Sequence, residues 1–279
     1  MKRGAWIAIG LGVVALIAIL VLVQFGAKLS KAEPQEETVA EAPPPKPPEP
    51  RYPIEAPEPP ADESTDDTAD QEDVAAPEPT PLPTLDDSDA PFRAAIDEAA
   101  GPSAVERFLV PDSVIRKAVV SVDNLDSDPV SRRFRPVIDV DGDVPVIRSG
   151  DSIRLAPSNY ERYKPWVTGF VSMPPATLVD TYSRYYPLFQ ESYEDLGYPD
   201  GYFNDRLIQI IDHLLATPSV DGPIFLKQPK VFYEFADPKL ERLSWGQKAL
   251  IRMGPENAAA VKKQLRAIRD ELLSRASGD

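Results

Sequence analysis

Residues 4–27 carry no charged side chain, and that run constrains the chain more than anything after it. It includes Trp6, Ile7, Leu11, Val14, Leu20 and Val23. About 20 consecutive apolar residues are what a helix needs to cross the hydrocarbon core of a bilayer. A core helix of a globular domain keeps one polar face, whereas this segment is apolar all round and leads into proline-rich acidic sequence. A cleavable signal peptide has an apolar region of only roughly 7–15 residues, closed by small side chains. Here Phe25 stands two positions before Ala27, and a cut after Ala32 would lie far from the run. The sequence therefore predicts an uncleaved transmembrane anchor over residues 1–31, in contact with the lipid bilayer.

Lys2, Arg3 and the terminal amine precede the run, while Lys28 and Lys31 follow it. Positive flanks stay cytoplasmic, so the larger N-terminal charge predicts export of everything that follows. The expected location is the inner (cytoplasmic) membrane, single-pass, with the bulk of the chain in the periplasm; the opposite orientation would leave it in the cytoplasm. The chain has no cysteine, which suits either side.

The net charge of −15 is unevenly placed. Residues 33–90 hold fifteen prolines and eighteen Asp or Glu against Lys46 and Arg51 alone. Such a composition has too few large apolar side chains to offset the entropy lost on ordering. Proline runs and like charges extend a chain. Residues 32–84 are thus expected to form a disordered, acidic, Pro-rich linker that sets the reach of the domain.

From residue 85 to 279 the composition is that of an ordinary globular domain, long enough to bury a core. The fold class expected is mainly α, with one or two short β-hairpins. Helices are expected near residues 89–100, 104–109, 112–125, 158–173, 176–196, 204–217, 244–254 and 255–272. Asp112 is the expected cap of the third, and Ser158 with Glu161 and Ser244 with Gln247 have capping-box spacing. Residues 144–148 with 152–155, and 224–227 with 230–235, read as strand pairs. Ala258, Val261, Leu265, Ile268 and Leu272 form an apolar stripe on the last helix.

His213 is the only histidine, which with the lack of cysteine leaves no multi-histidine or thiolate metal site. No cofactor is expected, and no metal ligand set. A serine triad would have to pass through His213, beside Asp212 on a helix. Glu191 and Asp195 share a helix face at i,i+4, so with Glu234 they are the candidates for a carboxylate-dependent hydrolase. Arg252 is expected to pair with an acid, Glu234 first.

The binding candidates are aromatic and basic. Twelve aromatics fall within residues 160–203, eight of them tyrosines. Tyr182, Tyr185, Tyr186, Phe189 and Tyr193 recur at helical spacing, the mark of a core stripe. Tyr160, Tyr163, Tyr198 and Tyr202 lie near helix ends or in a loop, where a side chain has a route to a surface groove. Arg132, Arg133 and Arg135 form a basic cluster suited to carboxylate or phosphate. The acidic balance argues against nucleic acid as a partner.

Four strings carry a resemblance to a known family. They are Tyr186-Pro187-Leu188-Phe189-Gln190-Glu191-Ser192-Tyr193, Asp205-Arg206-Leu207 with Ile211-Asp212-His213-Leu214-Leu215, Lys230-Val231-Phe232-Tyr233-Glu234-Phe235-Ala236-Asp237-Pro238, and Arg252-Met253-Gly254-Pro255-Glu256-Asn257. In these the chain resembles the bacterial membrane-anchored family known as domain of unknown function 3014, over about residue 82 to the end. The resemblance implies a bacterial envelope protein with one anchor and brings no activity, ligand or catalytic residue. The function expected is a non-catalytic binding or scaffolding module for an unknown envelope protein or cell-wall component. The alternatives are an envelope hydrolase or a cytoplasmic-facing assembly adaptor.

Overall fold

Apolar residues recurring every three or four positions drive most of the chain after residue 88 into helices. The computed structural model describes residues 49–54, 81–100, 104–127, 129–140 and 142–277. The expected anchor and most of the expected linker lie outside the described residues, among which no helix is long and apolar enough to cross a membrane. In chain order the helices are α1 (Asp89–Ala100), α2 (Ala104–Phe108), α3 (Val114–Asp123), α4 (Ser158–Val171), α5 (Pro175–Asp195), α6 (Phe203–Leu215), α7 (Pro238–Glu241), α8 (Trp245–Arg252) and α9 (Pro255–Ser277). A 3-10 turn covers Arg132–Phe134.

The larger core lies between these helices. α9 lays Val261, Leu265, Ile268 and Leu272 against α4, α5 and α6, as its stripe predicts. α3 packs on α5 and α6 from another side through Ile115, Ala118, Val119 and Val122. Removing such side chains from water stabilises by about 1.5–3 kcal/mol each, which is why weakly helical segments hold their shape here.

The strands are β1 (Val146–Ser149), β2 (Ser152–Leu155), β3 (Phe225–Lys227) and β4 (Glu234–Phe235). The two expected hairpins join into one antiparallel sheet of order β1-β2-β3-β4, because β2 also pairs with β3. Arg148, Ile153, Leu226 and Phe235 stand in one cross-strand row. Leu155, Ile224, Leu226 and Phe235 close with Ile251 of α8 into a second, smaller core. The other face carries Ile147, Arg154 and Phe225 in the neighbouring row.

Helix capping departs from the sequence-based expectation in two places. Asp112 does not cap α3: it holds Lys117 at 2.8 Å, and the Asp89 carboxylate of α1 accepts from the Ser113 and Val114 N–H groups at 2.6 and 2.8 Å. Ser158 is already helical and makes no cap bond, and Glu161 pairs with Lys164. By contrast, Ser244 accepts from the Gln247 N–H as its spacing predicts. Spacing identifies a local cap but is blind to a cap supplied by another helix.

The α8–α9 turn is locked to α4. Asn159 donates to the Arg252 carbonyl at 2.8 Å, and Asn257 donates to the carbonyls of Tyr160 and Met253 at 2.9 and 2.8 Å. Gly254 has φ +92°, and a Cβ there would stand 2.5 Å from the Tyr160 ring, so both backbone and neighbour require glycine.

Candidate functional site

The aromatic stripe of α5 turns inward. Tyr182, Tyr185, Phe189 and Tyr193 are buried, and Phe189 stacks on Phe203 of α6 with ring centroids 5.7 Å apart. Gln190 fastens the α5–α6 loop above them: its amide donates to the Gly201 carbonyl at 2.7 Å and its oxygen accepts from the Phe203 N–H at 2.9 Å. Burial pushes the Tyr193 hydroxyl up to about 12.

The four tyrosines singled out in the sequence fall in different surroundings. Tyr163 is a core residue, 1% exposed, because its position on α4 faces the other helices; it leaves the set of surface candidates. Tyr160 and Tyr202 are half-buried, Tyr160 beside Gly254 at the edge of the sheet core. Tyr198 is exposed, stacks on Tyr193 at 4.6 Å and donates its O–H to Asp123 at 3.1 Å. The Asp123 charge first, and burial second, raise its pKa.

The three arginines also separate. Arg135 is interior: it donates through Nε and Nη2 to the Val130 carbonyl at 3.2 and 2.9 Å and lies over the Trp245 ring. Its burial lowers its pKa, and it is a strut rather than a ligand group. Arg132 is ion-paired with Asp139. Arg133 is exposed and lies over the Phe134 ring, 4.6 Å from its centroid.

A further polar cluster forms on the polar side of α6, with Asp123 and Asp126 as partners that the sequence did not mark. Arg206 of α6 donates Nε to Asp123 Oδ1 at 2.8 Å, Nη1 to Asp126 Oδ2 at 2.8 Å and Nη2 to Asp126 Oδ1 at 2.9 Å. Burial acts to lower its pKa, but the hydrogen bonds to Asp126 and Asp123 outweigh it and raise the value. Two turns further along α6, His213 Nε2 meets Ser244 Oγ at 2.8 Å. A serine beside a histidine is the start of a nucleophile–base pair. Asp126, the acid whose charge acts on His213, has both oxygens held by Arg206. Ser244 Oγ in turn serves the start of α8. Burial lowers the His213 pKa, which keeps the ring neutral at pH 7.

The acids proposed for hydrolysis do not converge. Asp195 pairs with Arg116 at 2.6 Å, Glu191 is exposed, and Glu234 pairs with Lys227 across β3 and β4 at 3.1 Å. Arg252 donates to the Tyr233 carbonyl at 3.4 Å and lies over the Phe235 ring, and the acid whose charge acts on it is Glu241. Among the described residues no group of three His, Cys, Asp or Glu side chains is placed to hold a metal ion.

The three large apolar side chains with the highest exposure among the described residues lie on β3 or in the β3–β4 connection. Phe225 is 49% exposed on its outer face, and Val231 and Phe232, at 71% and 45%, project from the β3–β4 connection. The expected strand over residues 230–235 would have buried alternate side chains; the strand observed is only Glu234–Phe235, so residues 230–233 form a turn. Arg148 holds that turn in place, donating to Gln228 and to the Tyr233 hydroxyl at 3.0 and 2.9 Å.

The chain belongs to the family described as Protein of unknown function (DUF3014), whose model matches residues 114–269. The match takes in α3 through most of α9, including the sheet and the Arg206 cluster. No curated protein and no solved structure matches the chain.

Proposed function

We propose that this chain is a non-catalytic binding or scaffolding module. Residues 4–27 anchor it in the inner membrane as a single span, and the helical domain stands in the periplasm on the acidic Pro-rich linker. There it captures an envelope protein or a cell-wall component. The observation that carries this reading is the contrast in how side chains are used. Groups able to do chemistry are tied into the fold, as His213 is to Ser244 and Asp126 to Arg206, while Phe225, Val231 and Phe232 are held out to solvent. Exposed apolar clusters on a polar-rimmed surface are recognition sites in soluble domains. Tyr198 and Arg133 supply further exposed aromatic and basic groups.

Reporter fusions test the placement. A periplasm-active reporter joined after Asp279 is expected to work and a cytoplasm-active one to fail. The reverse outcome would overturn the periplasmic reading and make the domain a cytoplasmic adaptor.

A further inference from the structure

A short piece of the acidic, proline-rich segment lies on the domain. The N–H groups of Arg51 and Tyr52 donate to the two oxygens of Asp205, each at 2.9 Å, and Asn204 donates its amide to the Tyr52 carbonyl at 2.9 Å. Burial alternates along the segment: Arg51 and Pro53 are exposed, Tyr52 and Ile54 half-buried against the helical core. That is the pattern of an extended strand, in which residues two apart face the same side. Pro53 enforces the extended shape at Tyr52, and it has no N–H to leave unpaired.

The receiving residues are specialised for this contact. Asn204 is fully buried, an expensive place for a side-chain amide, and its Oδ1 has no hydrogen-bond partner among the described residues. Its amide nitrogen is spent on the Tyr52 carbonyl. Asn204 and Asp205 have the residue types of a helix cap but do not cap α6, which starts at Phe203 after Tyr202. Their side chains read the backbone of the incoming segment, as a sheet edge would read a strand.

We propose that Asn204, Asp205 and the adjoining apolar surface form a docking site for the chain's own tether, with residues 51–54 as its occupant, and that docking sets the length of the tether. Clasped, only residues 32–48 separate the anchor from the domain; released, the spacer extends to residue 81. At about 3.5 Å per residue the reach is at most ~60 Å in the first state and ~175 Å in the second. The two lengths rest on the membrane-anchored reading above; the clasp itself does not. A segment covalently joined to its site is presented to it at roughly millimolar effective concentration. A contact built from a few hydrogen bonds and two half-buried side chains is therefore held when the tether is slack and is released by pull or by a competing extended peptide.

The sequence supplies a clean probe. Between residues 33 and 92 the basic residues are Lys46, which precedes proline and resists trypsin, and Arg51. Cleavage of the Arg51–Tyr52 bond in the full-length protein thus reports the clasp, since the Tyr52 N–H is one of its ties. Asp205→Ala and Ile54→Asp leave both residues at the cut unchanged. Each is expected to speed that cleavage about tenfold or more, with the fragment from residue 52 onward surviving as in the wild type. Ile54→Asp alters only the tether, so its effect stands even if Asp205→Ala loosens the domain. Equal rates in wild type and Ile54→Asp would overturn the clasp. Protection lost on dilution would place the segment in a second copy and overturn the length control. Protection with the domain on the cytoplasmic side would leave the clasp standing and remove only the periplasmic reading.

Discussion

Around α5 the aromatic rings face one another; around β3 they face solvent. Phe189 packs edge-on to Phe92 at 6.0 Å and stacks on Phe203, and each of the three is fully buried. Phe225, Val231 and Phe232 are of similar apolar character, yet they keep about half or more of their surface exposed. The helices surround their core on all sides, whereas the sheet has one face covered by α8 and one left open. The helical region is therefore where stability resides, and the open sheet face is where substitution is cheap for the fold and costly for recognition.

Truncating one ring in each region is expected to give the largest difference between them. Phe189→Ala is expected to cost about 3–5 kcal/mol in urea unfolding, since it leaves a cavity among three other rings. Phe232→Ala is expected to stay within ~0.5 kcal/mol of the wild type. Comparable losses would mean that the sheet face is part of the core.

Arg206 gives a smaller, polar version of the same test. Arg206→Ala strands Asp123 and Asp126, both mostly buried, and is expected to lower stability by about 2–3 kcal/mol. Arg206→Lys should recover little, because a single ammonium cannot make the forked contact to two carboxylates. A melting temperature unchanged in Arg206→Ala would show that the cluster is idle in the fold.

Much of the helical region is legible in the sequence and most of the recognition surface is not, for a physical reason. Periodicity reports which side of an element is apolar, so α9, α5 and α8 follow from their stripes and from Ser244. It does not report which elements meet. The cap that Asp89 lends to α3, the union of two hairpins through β2 and β3, and the Arg206 contacts all join residues more than twenty positions apart. Tyr163 and Arg135 show the same limit from the other side: a helix-end tyrosine and a loop arginine look exposed until the fold closes over them. For Val231 and Phe232 a signal was present, since Gln228-Pro229 argued for a longer turn than the two residues allotted.

The pH dependence of stability distinguishes the regions more finely. His213, the chain's only histidine, sits in the helical region with its pKa held below the ordinary 6.5 by burial. The unfolded chain takes up the proton first, so this contribution is complete above pH 6.5 and is lost as the pH falls from there through the folded-state value. Relative to His213→Gln, the wild type is expected to lose stability between about pH 7 and 5.5. Parallel profiles for the two proteins would place the histidine in a solvent-like site.

If Phe225 on the open sheet face and Val231 and Phe232 of the β3–β4 connection recognise the partner, quantitative capture by the full-length protein in mild detergent reads it directly. Wild type is compared with the triple variant Phe225→Ser, Val231→Ser, Phe232→Ser and with Tyr198→Ala, after matched melting temperatures confirm that all are folded. The triple variant is expected to lose at least ~90% of the specifically captured material, as apolar anchors carry most of the energy of an interface. Capture unchanged in the triple variant, or lost only in Tyr198→Ala, would contradict the assignment.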